Sequence, residues 1–251
     1  MDSPIVPIVV VVLILLLFRL ILNVFIRRLE TEKGFTLRPL ASFDAMQGQV
    51  GQAIESGSQM HVTLGQASLA GPNSPTTVAA LEVLGHLAED GCANGVPPLV
   101  TAGEGTILLA AQDSLYHGFA AANRPEDYRS RQAQFVAHDS DPFVYAGGVS
   151  AVLQQDKVIG NVMVGRFGAE VAIMSASAER RGIEQVIGTD DPTAMAIATA
   201  VTDNTLIGEE LFAAGAYLKG RPDQIASLRI QDILRGLIMA AILIWAILQL
   251  L

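Results

Sequence analysis

The sequence has a single cysteine, Cys92, so no internal disulfide can form, which suits a reducing compartment. Its setting, GCANG, carries no mark of a catalytic thiol. Basic residues are also scarce: 16 Lys and Arg stand against 25 Asp and Glu, for a formal net charge of −9. A surface of that sign repels nucleic acid, whose binding depends on neutralising phosphates, so no nucleic-acid partner is expected. There is no P-loop pattern and no GxSxG nucleophile elbow. The four histidines, His61, His86, His117 and His138, are scattered, and none stands four residues from another as a helical metal pair would. No metal and no cofactor is expected from these motifs. No repeat and no low-complexity linker divides the middle of the chain, so one domain is expected there.

What is abundant is apolar residue: 51% of 251 residues, with a mean hydropathy of +0.41. The excess sits at the two ends. Pro4 to Ile26 reads PIVPIVVVVLILLLFRLILNVFI, interrupted only by Arg19 and Asn23. At about 1.5 Å per residue such a helix crosses the roughly 30 Å hydrocarbon layer. The segment before it, Met1-Asp2-Ser3, has no positive charge, and no small-residue cleavage site follows the run, which argues against a cleaved signal peptide. The second run, Gly236 to Leu251 (GLIMAAILIWAILQLL), is shorter, and a helix beginning near Ile233 would just reach across.

Lys and Arg are retained on the cytoplasmic side of a bilayer. Arg27, Arg28, Lys33 and Arg38 follow the first run and Arg229 and Arg235 precede the second, whereas the outer tails carry Asp2 and no basic residue. The middle of the chain is therefore expected in the cytoplasm and both termini outside, in a two-pass protein of the bacterial inner membrane. Arg19 lies toward the cytoplasmic end of its helix, where a long side chain can snorkel to the headgroups. Three parts follow: residues 1–28 as an N-terminal transmembrane helix, 29–221 as a cytoplasmic α/β domain, and 222–251 as a helix running into the C-terminal transmembrane segment.

Within the middle, short apolar runs lead repeatedly into helix starts. MHVTL (60–64) is followed by Ser74-Pro75, QFVAH (134–138) by Asp141-Pro142, and QVIGT (185–189) by Asp191-Pro192. In each, a side-chain oxygen can cap free helix N–H groups while proline occupies the first turn. PPLVT (97–101) precedes a stripe of Ile107, Ala111, Leu115 and Phe119, and NVMVG (161–165) supplies a further strand with a helix running to about Arg181. GEELFAAGAYL (208–218) reads as one helix, and PDQIASLRIQDILRG, from Pro222, as a helix that continues toward the second apolar run. Strands apolar throughout indicate a parallel sheet covered on both faces. The expected fold is an open, Rossmann-like, mostly parallel α/β sheet with helices on both faces, flanked by two transmembrane helices.

In such folds ligands bind beyond the carboxyl ends of the strands. The loops there place Ser68 after one strand, Thr101 at the end of another, and Gly103, Glu104, Gly105 and Thr106 in a turn that resembles the opening of a dinucleotide fingerprint. That fingerprint fails at Leu108, where its third glycine would stand, and Glu104 would repel a phosphate. Asp139, in His138-Asp139-Ser140-Asp141, could supply an oxygen ligand or a general base, while Asp141 and Asp191 read as helix caps. Glu209 and Glu210 suit the positive end of a helix dipole. Asn161, Arg166 and Glu170 form a further polar group around one strand. Ser68, Thr101, Gly103, Gly105, Thr106 and Asp139 are the candidate ligand-binding residues, and no residue is marked as catalytic.

HVTLG, VTAGEGTILLAAQDSL, GRFGAE, IGEELFAAGAYL and SLRIQDILR together resemble an uncharacterised bacterial membrane-protein family, a domain of unknown function with flanking transmembrane helices. The resemblance covers most of the chain and implies the architecture, but no activity and no site residues. The absence of catalytic motifs favours a membrane-anchored interaction or scaffold module over an enzyme. Its partners would be the lipid bilayer and further copies of itself or a larger membrane complex, with Ala213, Ala214, Gly215 and Ala216 permitting close helix packing. The alternative is a small-metabolite binding or sensing module, or an unrecognised enzyme, that uses the strand-end loops. Two simple helices per chain offer no polar pathway for a transporter unless several subunits surround one.

Overall fold

The computed structural model describes residues 16–20, 23–24, 37–137 and 141–250. The chain divides into two compact units: Pro39–Leu218 is one, and the described residues of the two ends form the other. In the end unit, 16–20 and 23–24 are helical. A single helix runs from Pro222 to Leu250, through Gly236 without a break. Among the described residues no helix is long and apolar enough to cross a membrane. Most of the first apolar run lies outside the described residues.

The Pro39–Leu218 unit has the element order α1 (Ala41–Ser56), β1 (Gln59–Gly65), α2 (Ser74–Ala93), β2 (Leu99–Ala102), α3 (Gly105–Ala121), β3 (Ala133–Phe135), α4 (Pro142–Leu153), β4 (Val158–Arg166), α5 (Val171–Glu179), β5 (Glu184–Thr189), α6 (Pro192–Val201), β6 (Thr205–Ile207), α7 (Glu209–Phe212) and α8 (Ala214–Leu218). The helix of the end unit is α9 (Pro222–Leu250). The six strands make one sheet in the order β3-β2-β1-β4-β5-β6, with every pairing parallel. This is the expected α/β class, and the order is that of the doubly wound dinucleotide-binding folds.

Two apolar layers cover the sheet. One joins Met46 and Val50 of α1, Val83, Leu84 and Leu87 of α2 and Ile107 and Leu115 of α3 to Met60, Val62 and Leu64 of β1 and Val162 and Val164 of β4. The other joins Val149 and Leu153 of α4, Val171 and Met174 of α5 and Ala194 and Ala198 of α6 to Met163 and Ile187. Successive strand residues point to opposite faces, so Met60, Val62 and Leu64 of β1 and Val162 and Val164 of β4 fill the first layer, while Val158, before the register shift at the start of the pair, joins the second. His61, Thr63, Asn161 and Met163, of the other parity, face the second. That second face is not uniformly apolar: His61 and Asn161 are register partners on β1 and β4, Asn161 and Gln185 on β4 and β5, and Thr63 and Thr101 on β1 and β2.

The helix starts read from sequence hold, with one difference. Asp141 accepts from Phe143 N and Asp191 from Thr193 N and Ala194 N, each with proline in the first turn. At Ser74-Pro75 the helix begins as expected but no side chain caps it. Residues 208–218 break into α7 and α8 rather than one helix. Ala214, Gly215 and Ala216 are buried inside the domain. β3 ends at Phe135, short of the expected run, and His138, Asp139 and Ser140 lie outside the described residues.

The β1–β4 junction needs glycine. Gly65 has φ +76°, and a Cβ there would meet Arg166 O at 2.6 Å. Gly165 has φ +141° and faces Leu64 O across the same junction. Gly65→Ala is therefore expected to lower unfolding stability by more than about 2 kcal/mol, from left-handed strain plus a backbone collision. Gly105→Ala, with open space around its Cβ and no left-handed φ, should change it by no more than about 0.5 kcal/mol. Thermal or denaturant unfolding of the two variants side by side checks this. Equal effects would contradict it.

Candidate functional site at the strand-order reversal

β1 feeds α2 on one face of the sheet, whereas β4 feeds α5 on the other. The loops leaving these neighbouring strands therefore diverge at the carboxyl edge, the position where doubly wound folds form a ligand crevice. Its floor is built from backbone and one aromatic ring. Gly103 N donates to Gly65 O at 2.9 Å, stitching the β2 loop to the β1 loop. A Cβ on Gly103 would meet Tyr145 Cδ2 at 2.9 Å, so the Tyr145 ring packs directly against that glycine.

Tyr145 and four strand residues make a buried polar network under this floor. Thr63 Oγ1 and Tyr145 OH lie 2.5 Å apart, and the phenol donates to Thr101 O at 3.4 Å, so the Thr63 hydroxyl supplies the proton between the first two. Thr101 Oγ1 contacts His61 Nε2 at 2.9 Å, and His61 Nδ1 contacts Asn161 Oδ1 at 2.8 Å. An amide oxygen only accepts, so His61 carries its proton on Nδ1, and Nε2 accepts from the Thr101 hydroxyl. His61, Thr63, Thr101, Tyr145 and Asn161 are each fully buried. Burial pushes the His61 imidazolium down to about 4 against the opposing pull of Asn161, and pushes the Tyr145 phenol up to about 12. Both groups stay neutral, which is the only form such a dry position tolerates.

The rim is charged. Arg166, at the end of β4, reaches Asp190 Oδ1 at 3.3 Å and Asp191 Oδ2 at 3.4 Å. Thr76, in the first turn of α2, donates to Asp190 Oδ2 at 2.6 Å. One guanidinium thus joins the loops after β4 and β5, and Thr76 adds the helix that follows β1. Glu170, in the loop after β4, is buried and accepts from Gly168 N at 2.9 Å. Asn161, Arg166 and Glu170, grouped in the sequence, separate here: Asn161 belongs to the buried network, Arg166 to the rim clasp, and Glu170 to its own turn.

Of the candidate residues, Ser68 and Thr106 come together. Their hydroxyls lie 3.3 Å apart, and Leu69 N donates to Thr106 Oγ1 at 3.2 Å. Gly103 lines the floor and Gly105 opens α3. Thr101 is fully buried beneath them, and Asp139 lies outside the described residues. The Glu104 carboxylate accepts from Thr106 N at 2.8 Å and Ile107 N at 3.2 Å, and it also bonds the Thr106 hydroxyl. The amides that a phosphate would seek at this helix start are therefore taken by the chain's own acid. Cys92 is buried and its thiol pushed up to about 11, the inert condition expected from its setting. Among the described residues no group of three or more His, Cys, Asp or Glu side chains is placed to hold a metal ion.

Sequence reasoning missed Tyr145 and the linkage of Thr63, His61, Asn161 and Gln185. The signal was present as polar residues at alternate positions of strands otherwise apolar. Only the strand order shows that they share a face.

Over residues 6–251 the chain matches a family described as a domain of unknown function, DUF6754. The chain belongs to the DUF6754 family. No curated protein and no solved structure matches it. The membership bears out the resemblance to an uncharacterised family and assigns no role to any residue, so the site rests on its own geometry.

The neutral, buried His61 makes stability depend on pH. Its pKa is near 6.5 when unfolded and about 4 when folded, so between those values the unfolded chain binds the extra proton. Its stabilising contribution is complete above about pH 6.5 and is lost as pH falls toward 4. Comparing the wild type with His61→Gln isolates this from the carboxylates. The wild type should lose on the order of 2–3 kcal/mol more than the variant over that window. Parallel pH–stability curves would show that His61 is protonated in the fold.

Proposed function

We propose that this chain is a membrane-anchored cytoplasmic α/β module that binds a small polar metabolite in the crevice between the β1 and β4 loops. The observation that carries the reading is the strand order β3-β2-β1-β4-β5-β6, because a reversal of this kind, here between β1 and β4, is where doubly wound folds form a ligand crevice. The reversal is furnished with polar groups: the Arg166 clasp, Glu170, and the paired Ser68 and Thr106 hydroxyls. Fold alone implies no function, so the proposal needs these groups as well as the strand order.

Charge narrows the ligand. The rim sets one cation, Arg166, against Asp190 and Asp191, with Glu170 close by in sequence and Glu104 already filling the start of α3. A ligand bearing hydroxyl or amine groups fits this balance, whereas clustered phosphates would meet carboxylates at three loops.

Anchoring in a bacterial inner membrane rests on the two apolar runs and on the basic residues that flank the domain. It is supported by the exposure of Leu237, Ile238, Met239, Ile242 and Trp245 along α9. The same exposed residues favour a second reading, a scaffold in which copies assemble through their end helices. The small residues 214–216 do not add to it, since they are buried within the domain's own core.

The test is a thermal-shift and native mass-spectrometry screen of the full chain, extracted from membranes in mild detergent. The probes are ribonucleosides, neutral sugars, amino acids and polyamines, with nucleotides as the phosphate-rich comparison. The proposal expects a hydroxyl- or amine-bearing compound to raise the unfolding temperature, equivalent to about 2–3 kcal/mol at a hundredfold excess over its Kd. That shift should vanish in Arg166→Ala. Stabilisation by nucleotides alone would overturn the ligand class. A discrete ligand-free oligomer that no probe stabilises would favour the scaffold.

A further inference from the structure

The polar row under the crevice does not end at Asn161. On the next strand its register partner is Gln185. Gln185 Nε2 donates to the Ser175 backbone oxygen at 3.2 Å, which sets this amide against the middle of α5. Each of these three residues has one buried side-chain atom with no partner in the protein: Asn161 Nδ2, Gln185 Oε1 and Ser175 Oγ. Asn161 and Ser175 are fully buried and Gln185 is 7% exposed.

An unpaired buried polar group costs roughly 1–3 kcal/mol, and a few such groups would consume the stability of an ordinary domain. The three atoms are chemically complementary. The Asn161 amide nitrogen and the Ser175 hydroxyl can donate, and the Gln185 amide oxygen accepts. They come from three adjacent elements, β4, β5 and α5, and no side chain of this set carries a charge. A single water placed among them would satisfy all three at once, accepting from Asn161 Nδ2 and Ser175 Oγ and donating to Gln185 Oε1. Three hydrogen bonds is the usual complement of a buried water.

We infer that this domain holds one structural water between Asn161, Gln185 and Ser175. The water carries the hydrogen-bonded row from Thr101 and His61 through Asn161 to α5, the helix that begins at Val171, just after Glu170 in the strand-end loop of β4. It thereby fixes the seating of the one helix that leaves the crevice on the second face. This site stands whether or not the crevice binds a metabolite.

A crystal structure of the full chain in detergent, at a resolution that shows ordered solvent, tests it. The expected result is one solvent peak within about 3.2 Å of all three atoms. Water-to-protein cross-relaxation in solution should also detect a long-lived water at the Asn161 side-chain amide protons. The inference is overturned if Asn161 Nδ2 bonds Gln185 Oε1 directly, if the space between them is empty, or if those amide protons see only rapidly exchanging solvent.

Discussion

The His61 ring joins the two halves of this sheet. Its Nδ1 reaches Asn161 on β4 and its Nε2 reaches Thr101 on β2, so one side chain on β1 spans the strand-order reversal. The bonds matter because the position is dry. Each of these polar groups is strongly destabilising if left alone, and both ring nitrogens of His61, the Thr101 hydroxyl and the Asn161 amide oxygen are satisfied by one another. The row therefore works as a register lock. Slipping β1 by one residue would turn His61 and Thr63 into the layer of Met60, Val62 and Leu64, where no partner waits.

The crevice follows from that lock. With β1 and β4 held in register, Gly65 and Gly165 bring their backbones close at the carboxyl edge, and the two loops part toward opposite faces. Tyr145 carries the network up to the floor beneath Gly103, while Arg166, Asp190 and Thr76 tie the loops after β4 and β5 and the start of α2 together above it. The floor is neutral and buried, and the rim is charged and partly exposed.

The parallel sheet and its helix starts were legible in the sequence wherever local chemistry decides them. Asp141-Pro142 and Asp191-Pro192 start helices because a carboxylate and a preset φ act within four residues. Ser74-Pro75 starts one without a cap, since its hydroxyl takes no part and Pro75 suffices. Helix α1 went unread because Gly48 and Gly51 interrupt its pattern, and Gly160 shows why its fit is tertiary: a Cβ there would strike Gln49 of α1. β6, three residues long, carries too little pattern to announce itself. The site was legible only in part. Ser68 and Thr106 meet because two loops do, but Thr101 turns inward by strand parity, and Tyr145 reaches the crevice from the far side of the sheet. These are facts of strand order, which no local motif encodes.

Site-resolved hydrogen exchange of the full chain addresses the central claim most directly. If the His61 row locks the β1–β4 junction, the backbone amides of residues 59–65 and 158–166 should be the slowest to exchange, opening only with global unfolding. The short outer strands at 133–135 and 205–207 should exchange faster. Exchange of the β1 and β4 amides at the rates of those outer strands would show that the junction opens locally and that the buried row does not hold it.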